Sequence, residues 1–146
     1  MEKTIKDFIQ LMEKAEKCSY SNNKVRNNYI KKGLSILYKI ETLPNFIEII
    51  LEILKNSHSF VVFINIAGFL RKYEPYISKK IYKNNINNDV MSGFLYDNWN
   101  QDQTNIENDR TKECLSKIAK YNKWKQENPE EYEKIIKELN DIIDNY

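Results

Sequence analysis

Three glycines, three prolines, two cysteines and a single histidine are all that 146 residues contain of these types. Each scarcity closes a route. So little Gly and Pro excludes a chain built on tight turns and argues for long helices with short links. Cys18 and Cys114 lie far apart, outside any CxxC or HxxxH spacing, so neither a zinc site nor a disulfide framework is expected. Gly33, Gly68 and Gly93 are too scattered to form a phosphate-cradling loop. A Ser-His-Asp or Cys-His constellation would have to use His58, which falls at an expected helix start, where capping or packing is the commoner role. Asp97 and Asp102 can do acid-base work only if folded into one cleft, which their spacing does not show. The expectation is a protein that is not an enzyme and carries no cofactor or metal.

Long apolar runs are also missing. The most apolar stretch, "SFVVFINIAGFL" at residues 59–70, is interrupted by Asn65 and Gly68, and a spanning helix needs about 20 apolar residues, so no membrane span is expected. Its β-branched residues suit a strand, but no second convincing strand exists to satisfy the edges of the first. It reads instead as a helix from about Ser57 to Tyr73, buried through Val61, Ile64, Ala67, Gly68 and Leu70, with Ala67 and Gly68 as a close-packing point. The N-terminal "MEKTIKDFIQLMEKAEK" interleaves charge at every turn and is no signal peptide; a cytoplasmic protein with reduced thiols is expected.

Helical periodicity is what the chain does contain. Ile5, Phe8, Ile9, Met12 and Ala15 recur at three- and four-residue spacing over residues 2–18. Val25, Tyr29, Ile30, Leu34, Ile36, Leu37 and Ile40 do so over 23–41, until Leu43-Pro44 ends the pattern. Residues 44–56 are apolar nearly all round except Glu48 and Glu52, as a centrally packed helix is. Short helices are predicted from Pro75 to about Lys83 and from Asp89 to about Trp99. "NQDQTN" then reads as the longest polar gap, before a helix from about Ile106 to Gln126 that buries Cys114, Leu115, Ile118 and Ala119. The last helix has Asn128 as N-cap and Pro129 at its first position, and an apolar face of Tyr132, Ile135, Ile136, Leu139, Ile142 and Ile143. The fold class is all-α: one domain over residues 1–146, about seven or eight helices stacked as antiparallel pairs in the HEAT-like manner.

The net charge of +2 hides an uneven distribution. Residues 21–40 hold Lys24, Arg26, Lys31, Lys32 and Lys39 and no acid, whereas the last twenty residues are strongly acidic. Lys24, Lys31, Ser35 and Lys39 can share one helix face, and Arg71, Lys72, Lys79, Lys80 and Lys83 offer a second basic stripe. Aromatic residues concentrate later in the chain, and Tyr73, Tyr76, Tyr96 and Trp99 are of the types enriched at interface hot spots. The candidate partner-binding residues are therefore Lys24, Arg26, Lys31, Lys39, Arg71, Lys72, Tyr73, Tyr76, Tyr96 and Trp99. Solvated lysines and packed aromatics are the plain alternative.

The succession "NNKVRNNYIKKGLSIL", "IILEILKNSHSFVVFINIAGFLRKYEP" and "SGFLYDNWN" resembles a family of small bacterial HEAT-like helical domains of unknown function. The matching positions are Asn23, Val25, Arg26 and Asn28, then Leu51 and Leu54, then Ala67 and Leu70, with Trp99 or Trp124 as a later tryptophan; the likeness spans residues 20–100 or so. Such domains are similar to immunity proteins of bacterial toxin systems. The resemblance thus implies a protein partner, a toxin domain, neutralised by binding. Two other readings stay open: a nucleic-acid-binding accessory protein using the basic helix faces, and a structural or adaptor helical protein.

Overall fold

The computed structural model describes residues 1–18 and 20–146. Among these are nine α-helices, a single-turn 3-10 helix at Tyr20–Asn22 and no strand. The helices are α1 (Glu2–Lys17), α2 (Asn23–Ile40), α3 (Phe46–Lys55), α4 (Phe60–Leu70), α5 (Pro75–Asn84), α6 (Val90–Asp97), α7 (Trp99–Asn108), α8 (Lys112–Glu127) and α9 (Pro129–Asp144). The all-α expectation holds, with slightly more helices than the seven or eight anticipated.

The core forms where the apolar periodicity is strongest. Phe8, Ile9, Met12 and Ala15 of α1 are buried together with all seven apolar residues of α3 from Phe46 to Leu54. Val61, Val62, Phe63, Ile66, Ala67, Phe69 and Leu70 of α4 complete the centre. α1 packs against α2, α3 and α4, and α4 pairs with α5. α9 runs back to cover α3 and α5 with Ile135, Leu139 and Ile143, so the last helix closes the stack onto its middle. Burying some thirty apolar side chains in one cluster is the main force holding these helices together.

Three local expectations are corrected. First, "NQDQTN" is not a gap but the body of α7. Its weak intrinsic propensity is overridden by tertiary anchors: Trp99 is buried, Asp102 pairs with Arg71, and the Gln103 amide donates to the Arg71 carbonyl at 3.2 Å. Ile106 therefore belongs to α7, and α8 starts at Lys112, where the Thr111 hydroxyl caps the Cys114 amide at 3.2 Å. The break at 109–111 also resets the phase of α8. Leu115 is half exposed and Ala119 exposed, while Tyr121 and Trp124 carry the buried face.

Second, the opening apolar stretch is helical only from Phe60 to Leu70, and Gly68 lies on its exposed side. Ala67 alone is a buried packing point, where the Ser78 hydroxyl of α5 donates to the Ala67 carbonyl at 2.7 Å. Of the three glycines, the one against which a neighbouring helix packs closely is Gly33 of α2, where a Cβ would overlap the Met12 methyl group of α1. Asn65 satisfies its amide on its own helix by donating to the Val61 carbonyl at 2.8 Å.

Third, Asn128 stands at the N-cap position of α9 but its side chain donates to the Trp124 carbonyl at 3.0 Å, so it closes α8 rather than capping α9.

Candidate functional site

A groove lies between α2 and α4, the two helices that α1 underpins. Its floor and walls are Leu34, Leu37 and Tyr38 from α2, Ile64, Gly68 and Phe69 from α4, and Ile106 from α7, with Tyr82 below, and it encloses about 540 Å³. The apolar positions follow from helix geometry. Leu34 and Leu37 are the edge of the face that α2 turns to the core, and Ile64 and Gly68 are one turn apart on the outer side of α4. Gly68 leaves the floor open, because a Cβ there would meet only the Tyr82 hydroxyl at 3.6 Å.

One end of the groove is charged, with its basic groups ion-paired and the Arg71 Nε left without a hydrogen-bond acceptor. The Arg71 guanidinium is paired with Asp102 and lies over the Trp99 ring at 4.9 Å and the Tyr82 ring at 5.9 Å. Lys72 reaches the Glu41 carboxylate at 2.7 Å. Glu41 is 6% exposed and also accepts from the Tyr73 hydroxyl at 2.8 Å and from Lys117 at 3.0 Å. Burial alone pushes the Glu41 carboxyl up, but hydrogen bonds from Lys72, Tyr73 and Lys117 outweigh it and hold the group below its ordinary value. Burial, and then the bond to Glu41, pushes the Tyr73 hydroxyl up. Burial likewise lifts Tyr82 to about 12, against the opposing charge of Arg71.

The cations of α2 are unmatched. Lys24, Lys31, Lys32 and Lys39 are exposed and Arg26 is half-buried, and none of the five has an ion pair among the described residues. Lys24, Lys31, Ser35 and Lys39 fall on the outward face of α2, as their spacing predicts. Lys31 lies one turn before Leu34 and two before Tyr38 on α2, and Lys24 stands two turns further toward the start of the helix; neither of them lines the groove. Tyr38, 60% exposed, links this face to the groove lip.

The ten residues nominated from sequence are thus divided. Lys24, Arg26, Lys31 and Lys39 share α2, and none of them lines the groove. Arg71 and Lys72 line it, but their charges are neutralised by Asp102 and Glu41. Tyr73 and Trp99 are core residues, 5% and 6% exposed, and are corrected as contact candidates: rings of this size at helix ends gain more from burial than exposure allows. Tyr96 is half-buried with the Lys79 ammonium 5.7 Å from its ring centre, and Tyr76 is exposed in the first turn of α5. The second basic stripe is partly taken up by internal contacts, Arg71, Lys72 and Lys80 being paired, the last with Asp144 at 2.8 Å, while Lys83 is exposed with no ion pair among the described residues.

Two features escaped sequence reasoning. Tyr38 was legible, because it stands three and seven residues after Ser35 and Lys31, on the polar face. Val90, Met91 and Phe94 of α6 are 89%, 57% and 57% exposed, an apolar surface hidden in a helix too short for its buried side to be identified by period.

His58 is exposed between α3 and α4 and has no hydrogen-bond partner among the described residues. No group of three or more potential metal-ligating side chains occurs among those residues. No helix of the described chain is long and apolar enough to cross a membrane. Comparison with known protein families, with characterised proteins and with solved structures finds no match.

Proposed function

We propose that the protein is a non-enzymatic binding module that holds a partner protein against α2. One observation carries this reading: the five cations of α2 are left without internal partners, whereas Arg71, Lys72, Lys80, Lys117 and Lys125 are matched to Asp102, Glu41, Asp144, Glu41 and Glu74. Unpaired cations occur elsewhere too, as at Lys3, Lys6 and Lys17 of α1, but α2 gathers five of them with no acid in the same helix. That concentration supports recognition of an acidic surface, where charge complementarity raises association rates and rejects basic competitors. Buried carboxylates give an enzyme reading little help, because Glu41 is taken up by two lysines and a tyrosine, and Glu74 by Tyr121, Tyr132 and Lys125. In its most specific form, carried by the resemblance of residues 20–100, the partner is a bacterial toxin domain that this chain neutralises by binding.

The test is affinity capture with the tagged full chain and with a Lys24→Glu, Lys31→Glu, Lys39→Glu variant. A stoichiometric protein partner held by the first and lost from the second supports the reading. Salt-sensitive retention on DNA or RNA with no protein partner overturns it, since phosphate contacts release counterions and give that steep dependence.

A further inference from the structure

We infer that the groove between α2 and α4 is a small-molecule site, taking an uncharged, mainly apolar compound whose carbonyl oxygen accepts a hydrogen bond from the Tyr82 hydroxyl. The inference is independent of the protein-binding reading, because it uses none of the α2 cations. It starts from an exception among the buried tyrosines. Tyr73 donates to Glu41 at 2.8 Å and Tyr121 to Glu74 at 3.3 Å. Tyr82 is only 4% exposed, yet its hydroxyl makes no hydrogen bond among the described residues. A buried phenol ordinarily finds a partner, because the O–H has given up its water on folding.

Gly68 shows where that hydroxyl points. A Cβ at Gly68 would meet the Tyr82 oxygen at 3.6 Å and no other neighbour, so the hydroxyl of this α5 residue reaches the groove floor through the gap that the glycine leaves in α4. A leucine at that position would cover it. The character of the occupant follows from the rest of the lining. Leu34, Leu37, Ile64, Phe69 and Ile106 surround about 540 Å³ with hydrocarbon, a volume in the ordinary range of ligand pockets. Arg71 and Lys72 are paired with Asp102 and Glu41, so a charged ligand finds no free counter-ion in the lining. The Arg71 Nε is fully buried, and the Asn65 amide already donates to the Val61 carbonyl at 2.8 Å. The Tyr82 hydroxyl is the buried donor that stays within reach, and one neutral donor in an apolar wall matches one neutral carbonyl oxygen.

The probes are benzylacetone, an uncharged ketone, and hydrocinnamate, which carries the same phenylethyl body on a carboxylate. Backbone amide shifts are followed during titration of the full chain, of Tyr82→Phe and of Gly68→Leu, and amides outside the groove report that each variant is folded. The ketone should bind the wild-type chain saturably, with a dissociation constant of about 1–5 mM or tighter for a molecule of its size, and should shift the amides of Leu34, Ile64, Gly68 and Phe69. Tyr82→Phe should weaken it about fivefold or more, as loss of the one hydrogen bond to a desolvated oxygen does. Gly68→Leu, which keeps the hydroxyl but fills the space above it, should abolish binding. No saturable binding of the ketone to the wild-type chain would overturn the site. Ketone affinity unchanged by Tyr82→Phe, or binding that survives Gly68→Leu, would overturn the assignment to the hydroxyl and the glycine gap. Tighter binding of hydrocinnamate than of the ketone would overturn the uncharged class of ligand.

Discussion

The Tyr73 hydroxyl donates to the Glu41 carboxylate at 2.8 Å, joining the end of α2 to the turn that follows α4. Lys72 and Lys117 complete the shell at 2.7 and 3.0 Å, so one buried carboxylate ties α2, α4 and α8 together. The tie fixes the charged end of the groove and also anchors α8, whose other attachments run through the rings of Tyr121 against Phe46 at 4.8 Å and Tyr73 at 5.4 Å. Glu41→Gln should cost about 2 kcal/mol in chemical denaturation, because two ammonium groups lose their counter-charge in partly buried positions. Lys117→Met should cost less than about 1 kcal/mol, since that lysine is 37% exposed along its side chain.

The same carboxylate sets an acid limit. Its folded-state value lies below the ordinary 4.5, so its contribution is fully present above that pH and is lost as pH falls through the folded value. The stability difference between wild type and Glu41→Gln, measured by urea denaturation at a series of pH values, should be constant near neutrality and shrink below about pH 4.5. A difference that grows on acidification would contradict this electrostatic account.

Tyr82 is one of several tyrosines raised by burial that together set the alkaline limit. Burial raises its hydroxyl from 10.0 to about 12. Its contribution is complete below pH 10.0 and is lost as pH rises toward about 12, because only the unfolded chain ionises readily over that interval. Tyr82→Phe should therefore lose less stability than wild type between those pH values.

The two helical glycines should respond in opposite directions. Gly33→Leu forces a side chain into the α1–α2 contact against Met12 and Phe8 and should cost about 1–3 kcal/mol. Gly68→Ala should stabilise by roughly 0.5–1 kcal/mol, since the added methyl makes only an ordinary contact with the Tyr82 hydroxyl at 3.6 Å in a helix interior. Thermal denaturation distinguishes the two signs directly.

These glycines also show how far the sequence could be read. Periodicity located α1, α2 and α9, and apolar composition nearly all round located α3; the expected face of α2 also took in Val25, which is 48% exposed. "SFVVFINIAGFL" was legible as a helix but not for sidedness: apolar nearly all round, it gives no phase to say that Gly68 faces outward. α7 was illegible because its helix depends on Trp99, Asp102 and Gln103 finding partners on distant helices. The stripe of Lys24, Lys31 and Lys39 was legible as spacing. That its charges have no partners, and that α2 and α4 enclose a groove, emerges only once α4 is placed, since half of that groove comes from residues some thirty positions further along the chain.

The central claim is that α2 attracts an acidic protein surface. Its most direct measurement is the association rate of the captured protein partner with wild type and with the Lys24→Glu, Lys31→Glu, Lys39→Glu variant at low ionic strength. Reversal of three charges on the docking face should slow association about tenfold or more, and added salt should narrow the gap. Equal rates for the two proteins at low salt would remove α2 from the account.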